Sequence, residues 1–154
     1  MSKANLQVVR STAASRRRGE MMVQGSLPLH WRKYPERYRL EGNVNTETGR
    51  EFFPARVVDP EAGRKGKLKA KEMPREGKIL SWTEVFAGPL GFEKETPYFL
   101  AIIELSNSVR ILAQVVDSEK EKVKIGAKVK KVFRKIADEH PEGAIAYGYK
   151  FKVV

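Results

Sequence analysis

The chain has 154 residues, 41% hydrophobic and 32% charged, with a formal net charge of +11 and no cysteine. A chain of this size forms one domain, or one domain with a small appendage, and has enough apolar residues for a core. Disulfides and thiolate metal sites are excluded, no apolar run approaches the roughly 20 residues of a membrane span, and the N-terminal arginines have no apolar stretch behind them to form a signal peptide.

The expectation is therefore a cytoplasmic protein without membrane contact. Clustered Lys and Arg attract phosphates, whether in nucleic acid or in coenzyme A, and they also make a plain solvated surface.

Residues 1–24 are polar, lack periodicity and carry Arg16-Arg17-Arg18, so they read as a flexible basic tail. From Leu27 to Leu40, Trp31, Tyr34 and Tyr38 fall at i, i+3 and i+7, which is one helical face; Pro35 limits a helix to starting or breaking there. An aromatic stripe at this spacing docks onto a core or a partner. Glu41 to Met73 is rich in Gly, Pro, Lys and Glu, with one hydrophobic knot from Phe52 to Val58. Gly49 before the knot and Asp59-Pro60 after it predict turns around a short strand or hairpin, with Phe52, Phe53, Val57 and Val58 packing on the barrel or a partner. Pro74 and Gly77 mark a boundary. The organisation is thus a tail over 1–24, a helix and hairpin over 25–73, and a barrel over 74–154.

From Gly77 onward the texture is that of strands. Ile79 to Phe86 is β-rich, and a loop punctuated by Gly88, Gly91 and Pro97 follows. Tyr98 to Leu105 and Val109 to Val116 make a hairpin around Ser106-Asn107-Ser108. Val123 to Ile136 carries some helical spacing, but Ile125-Gly126 and its β-branched content favour a turn into a bulged strand. Ile145, Tyr147, Tyr149, Phe151 and Val153 alternate at period two, the pattern of a strand buried on one face. The fold class is mainly β, a five-stranded OB-type barrel, with an SH3-like barrel as the structural alternative.

Catalytic constellations are scarce. His30 and His140 have no nucleophile in context, and no nucleophile elbow, phosphate-binding glycine motif or metal-ligand spacing is present, so the chain is expected not to be an enzyme. Lysines crowd the stretch from Lys120 to Lys135, where they suit a phosphate backbone or, more simply, a solvated edge strand. Trp82, Phe86, Phe92 and Tyr98 are candidates for exposed aromatics, with at least two of them filling the barrel. Gly88, Gly91 and Phe92 suit a ligand-facing loop or a plain hairpin connection.

Taken in order, several segments resemble the thiolase-associated family that joins a rubredoxin-like zinc ribbon to a C-terminal OB fold. They include Trp31 and Tyr38, Phe53-Pro54-Ala55-Arg56, Gly77 to Thr83, Pro89 to Phe92, Pro97-Tyr98, Ile103-Glu104-Leu105, Ile125-Gly126 and Tyr147 to Phe151. The family pattern has two C-x-x-C pairs flanking the Phe-Pro knot, and the matching positions here are Asn45, Thr48, Asp59 and Ala62. The resemblance with these replacements implies a metal-free, degenerate zinc-ribbon-like hairpin and no cofactor.

It further implies a non-catalytic scaffold that bridges acetoacetyl-CoA thiolase and HMG-CoA synthase in an archaeal mevalonate pathway. On that reading Trp31, Tyr34, Tyr38, Phe53 and Arg56 form a partner interface outside the barrel. Gly88, Gly91, Phe92 and Tyr98 form a loop near the CoA path. The alternative is an OB-fold nucleic-acid-binding protein; weak and nonspecific binding is the expectation under the scaffold reading.

Overall fold

A computed structural model describes residues 27–89, 92–138 and 145–154. The basic tail read over 1–24, His140 and Gly91 lie outside the described residues. Helix α1 (Leu27–Tyr34) runs into a π-helical turn, Pro35–Arg39. Pro35 therefore marks the break between the two helical pieces, as the sequence predicts. It sits at the first position of the second turn, where a missing N–H costs least. Leu40 stops the turn with a left-handed φ of 58°, and its N–H returns to Glu36 O at 3.1 Å.

Next come β1 (Glu41–Asn45), β2 (Glu51–Phe52) and β3 (Leu68–Glu72), a three-stranded sheet in the order β2-β1-β3 with both pairs antiparallel. The hydrophobic knot supplies only one residue of β2, Phe52. Of the two expected packings, barrel or partner, Val57 and Val58 do not take the barrel: the chain leaves the sheet after Phe52 and Val57 stands 97% exposed. The sheet is built instead on Glu41–Asn45 and Leu68–Glu72, two polar segments.

The barrel comprises β4 (Glu76–Val85), β5 (Tyr98–Leu105), β6 (Arg110–Val115), β7 (Lys128–Asp138) and β8 (Ile145–Val153). It closes in the order β4-β5-β6-β8-β7, the five-stranded OB arrangement. Ser108, at φ 64°, turns the β5–β6 hairpin, and Leu105 N bonds Val109 O at 2.9 Å. Gly126, at φ 85°, opens β7 and donates to Ile79 O at 2.7 Å. The bulge expected in β7 falls between Lys135 and Ala137, and β8 enters β6 in parallel at Val115↔Phe151.

Ile79, Ala101, Ile103, Leu105, Ile111, Val115, Val129 and Phe151 fill the barrel, and Leu40 and Met73 belong to the same cluster. Met73 N bonds Leu40 O at 2.9 Å, and Lys131 Nζ reaches Tyr38 O at 2.8 Å. Leu40 after the helical turn and Met73 after β3 therefore tie the N-terminal part to the barrel core, while α1 itself contributes no residue to that core.

β8 departs from the one-faced strand that its alternation predicts. Phe151 and Tyr149 do pack inward, but Ile145 and Tyr147 are exposed while Ala146, Gly148 and Lys150 are buried. Parity is preserved, but the cover changes along the strand. A Cβ on Gly148 would lie 2.3 Å from Ile136 Cδ1, and Arg37 comes over the same side.

Candidate functional site

Two surfaces and one buried turn pair hold the residues singled out by sequence. The first surface begins on α1, where Trp31 stands 64% exposed. The ring of Tyr34 lies 4.8 Å from that of Tyr38, and Tyr38 meets Phe133 of β7 edge-on at 5.0 Å. Phe133 stacks on Tyr147 of β8 at 5.7 Å with 17° between planes. All of these rings are partly exposed, as is Ile145 beside them on the strand. Sequence reading found Trp31, Tyr34 and Tyr38. It missed Phe133 and Tyr147, which only strand register brings to the same place.

Phe53 and Arg56 are not part of that patch. Phe53 is half-buried, its ring 5.6 Å from Tyr149, and packs against the shared core. Burial pushes the Tyr149 hydroxyl up to about 12, with the Glu36 carboxylate adding to it. The Arg56 guanidinium covers the Phe52 ring at 5.1 Å while its carbonyl accepts from Asn43 Nδ2 at 2.5 Å. Both residues do structural work, so removing Phe53 disturbs the core as well as any docking face.

The four positions that the resemblance assigns to a metal hold Asn45, Thr48, Asp59 and Ala62. That set offers one amide, one hydroxyl, one carboxylate and a methyl group, whereas tetrahedral zinc takes four thiolate, imidazole or carboxylate donors. It does not fit. The residues form a direct clasp instead. Asn45 Nδ2 donates to Asp59 Oδ2 at 2.5 Å, and both side chains are buried, at 0% and 2% exposure. Asn45 Oδ1 accepts from the N–H of Glu47 (2.9 Å) and Thr48 (3.3 Å), and Asp59 Oδ1 from those of Glu61 (2.8 Å) and Ala62 (3.2 Å). Each turn is thus pinned by its own first residue, and the two turns are joined through those residues.

Gly66 passes so close that a Cβ there would lie 2.9 Å from Asp59 Cβ. The Asn45 donor, helped by the Ala62 N–H and by Arg50 and Arg56, holds the Asp59 carboxyl below the usual carboxylate range. Among the described residues no group of three or more His, Asp or Glu is placed to hold a metal ion, and no helix is long and apolar enough to cross a membrane.

The second surface lies on β5 and β6. Ile102 and Leu112 are register partners and both exposed. Beside them a cleft of about 380 Å³ runs under the loop between Gly88 and Pro97, lined by Phe92, Tyr98, Leu100, Leu112, Tyr149 and Lys150. Gly88 is needed there, since a Cβ would meet Phe92 O at 2.9 Å. Phe92 and Tyr98 pack on each other at 6.3 Å. Lys150 is the unexpected member. Its side chain is 8% exposed and pairs with Glu95 at 3.1 Å, which also accepts from Gln114 at 3.3 Å. Of the other aromatic candidates, Trp82 turns edge-on to Phe99 and packs against the core, whereas Phe86 is exposed.

Residues 70–134 match the family model described as the ChsH2 C-terminal OB-fold domain. A DUF35 domain-containing scaffold protein of Methanothermobacter thermautotrophicus is 39% identical over 122 residues, covering 79% of this chain and 92% of the relative. One of the same description from Methanocaldococcus jannaschii is 40% identical over 124 residues, covering 80% and 88%. Among solved structures, the Ltp2-ChsH2(DUF35) aldolase superposes with a TM-score of 0.63 over 84% of this chain and 96% of that one. At 20% identity this is a likeness of fold alone.

Proposed function

The chain belongs to the family of DUF35 domain-containing scaffold proteins, and from that premise we propose that it is a non-catalytic subunit that holds an acetoacetyl-CoA thiolase against an HMG-CoA synthase. The observation that carries this reading is that exposed apolar side chains gather at two places on one barrel. The aromatic patch lies on α1, β7 and β8; Ile102 and Leu112 lie on β5 and β6. In the closed order β6 borders β8, and the cleft lined by Leu112, Ile136 and Tyr149 lies where the two strands meet. Exposed apolar area of this kind marks interaction sites, and a bridge needs two of them.

On this reading the aromatic patch takes the thiolase. The β5–β6 face, continuous with the cleft under Phe92 and Tyr98 through Leu112, meets the synthase beside the CoA path. The benefit lies in effective concentration. Condensing two acyl-CoA molecules is uphill, and a second enzyme tethered within reach captures the product before it diffuses away. The chain's residues supply docking and spacing, and the chemistry belongs to the partners.

A second reading, nucleic-acid binding, rests on Lys122, Lys124 and Lys128, which gather along one groove of about 600 Å³. No aromatic side chain lines that groove, so bases would have nothing to stack on. The two readings separate in one experiment. The purified chain is mixed with the thiolase and the synthase of the same genome and followed by sedimentation velocity. A ternary species is expected, and a chain that binds neither enzyme, or only one, refutes the bridge.

A further inference from the structure

We propose that the docking face for one enzyme subunit is a composite of α1, the π-helical turn and the β7–β8 hairpin, and that its occupant presents an apolar centre ringed by acidic side chains. The inference rests on the scaffold reading and deepens it: it adds Phe133, Tyr147 and Ile145 to the face and states the chemistry of the partner.

Continuity comes first. Tyr34, Tyr38, Phe133 and Tyr147 touch in sequence at 4.8, 5.0 and 5.7 Å, so two distant regions of the chain present one uninterrupted aromatic strip, flanked by Trp31 and Ile145. The strip is anchored from below by the Lys131 bond to Tyr38 O and by the Leu40 plug in the barrel core. Its geometry is therefore fixed before any partner arrives, which lowers the entropy cost of docking. Aromatic residues held in this way dominate binding energy at protein interfaces.

The rim decides the occupant. Arg32 and Lys33 follow Trp31 on α1, Arg39 follows Tyr38, and Lys135 shares the face of β7 that Phe133 presents, while Arg37 turns toward Gly148 and Arg134 toward Asp117. Lys33 pairs with Glu36, Arg39 with Glu41 and Arg134 with Asp117, and the balance of the six cations and three acids stays positive. A second copy of this chain would bring the same cationic rim against itself, because an isologous contact pairs each patch with its own image. A single-stranded nucleic acid suits the charge but not the rings. Tyr34 and Tyr38 are tilted by 56°, Tyr38 meets Phe133 at 63°, and Phe133 and Tyr147 each give one face to the other, so the strip offers no run of parallel free faces. Base stacking needs free ring faces. An acid-rimmed apolar protein surface satisfies both features, and its encounter with this rim is accelerated at low ionic strength.

The test uses the full chain with the purified thiolase and synthase as probes, measured by surface plasmon resonance at two salt concentrations. Trp31→Ala and Phe133→Ala are each expected to weaken one enzyme by about thirtyfold and leave the other unchanged. Arg32→Glu is expected to slow association and flatten its salt dependence. Ile125→Ala, an exposed apolar residue in the turn before β7, serves as the control and is expected to change nothing. Circular dichroism confirms that each variant is folded.

Enzyme binding that survives both aromatic substitutions overturns the composite face while leaving the scaffold reading intact. Intact chain that binds neither enzyme overturns the scaffold reading itself, and this face falls with it. Self-association lost in Phe133→Ala would make a second copy the occupant. Oligonucleotide binding lost in Trp31→Ala would make it a nucleic acid. Either result refutes the proposal.

Discussion

Replacing Asn45 with alanine tests whether two turns can be held together without a metal. The Asn45 side chain makes three hydrogen bonds, but they are unequal. Those from the Glu47 and Thr48 N–H groups lie in exposed turn backbone, where water replaces a lost acceptor at little cost. The bond to Asp59 Oδ2 is buried and its acceptor is ionised. Losing a bond of that type costs about 1.5–3 kcal/mol. For a chain of this length the midpoint of thermal unfolding is then expected to fall by roughly 3–12 °C.

The acid limb adds an independent readout. The Asn45 bond lowers the Asp59 pKa below its ordinary value of 3.8, so the stabilisation it gives is present above that pH and is lost as pH falls through the lowered value. In Asn45→Ala the loss on acidification is expected to be shallower. Calorimetry of parent and variant across the acid range decides the matter. An unchanged midpoint at neutral pH, or an unchanged acid slope, would refute the argument that Asn45 and Asp59 close the turn pair.

Three other outcomes are expected. Elemental analysis of purified protein is expected to find no stoichiometric zinc, and a chelator to leave the unfolding midpoint unmoved; about one zinc per chain would contradict the donor-set argument. Gly77→Ala, where a Cβ would stand 2.5 Å from the Glu104 carbonyl oxygen, is expected to cost about 1–3 kcal/mol in denaturant unfolding. Gly148→Ala should cost less, because its clash is with the movable tip of Ile136. Fluorescence anisotropy with single-stranded oligonucleotides is expected to give a dissociation constant on the order of 10⁻⁴–10⁻⁶ M at physiological salt, without sequence preference; submicromolar, selective binding would favour the nucleic-acid reading.

The barrel strands are legible in the sequence because alternation and turn residues act locally, as at Ser106 to Ser108 and Ile125-Gly126. β1 and β3 are invisible for the opposite reason. In Glu41–Asn45 the buried positions are Gly42, Asn43 and Asn45, which carry no apolar signal because they are buried for hydrogen bonding and close approach. The Phe52 to Val58 knot misleads in the other direction, its valines being apolar yet solvent-facing. For β8, alternation tells which residues share a face but not what covers that face, and the helical turn that covers Gly148 lies more than a hundred residues earlier. The aromatic strip is half legible: helical spacing gives Tyr34 and Tyr38, whereas Phe133 and Tyr147 join only through β7–β8 pairing.

The place of β8 between β6 and β7 has a consequence for synthesis. A nascent chain emerging from the ribosome can form the β4–β5–β6 meander early, since those pairings are local. It cannot complete the barrel until Ile145–Val153 is free to slide into the gap. Until then β6 and β7 each offer an unpaired edge to any neighbouring polypeptide. β7 meets that interval with Lys128, Lys130, Lys131, Arg134 and Lys135 along its length, charges that discourage edge-to-edge association. Part of the chain's large positive charge thus acts before there is a folded protein for it to decorate.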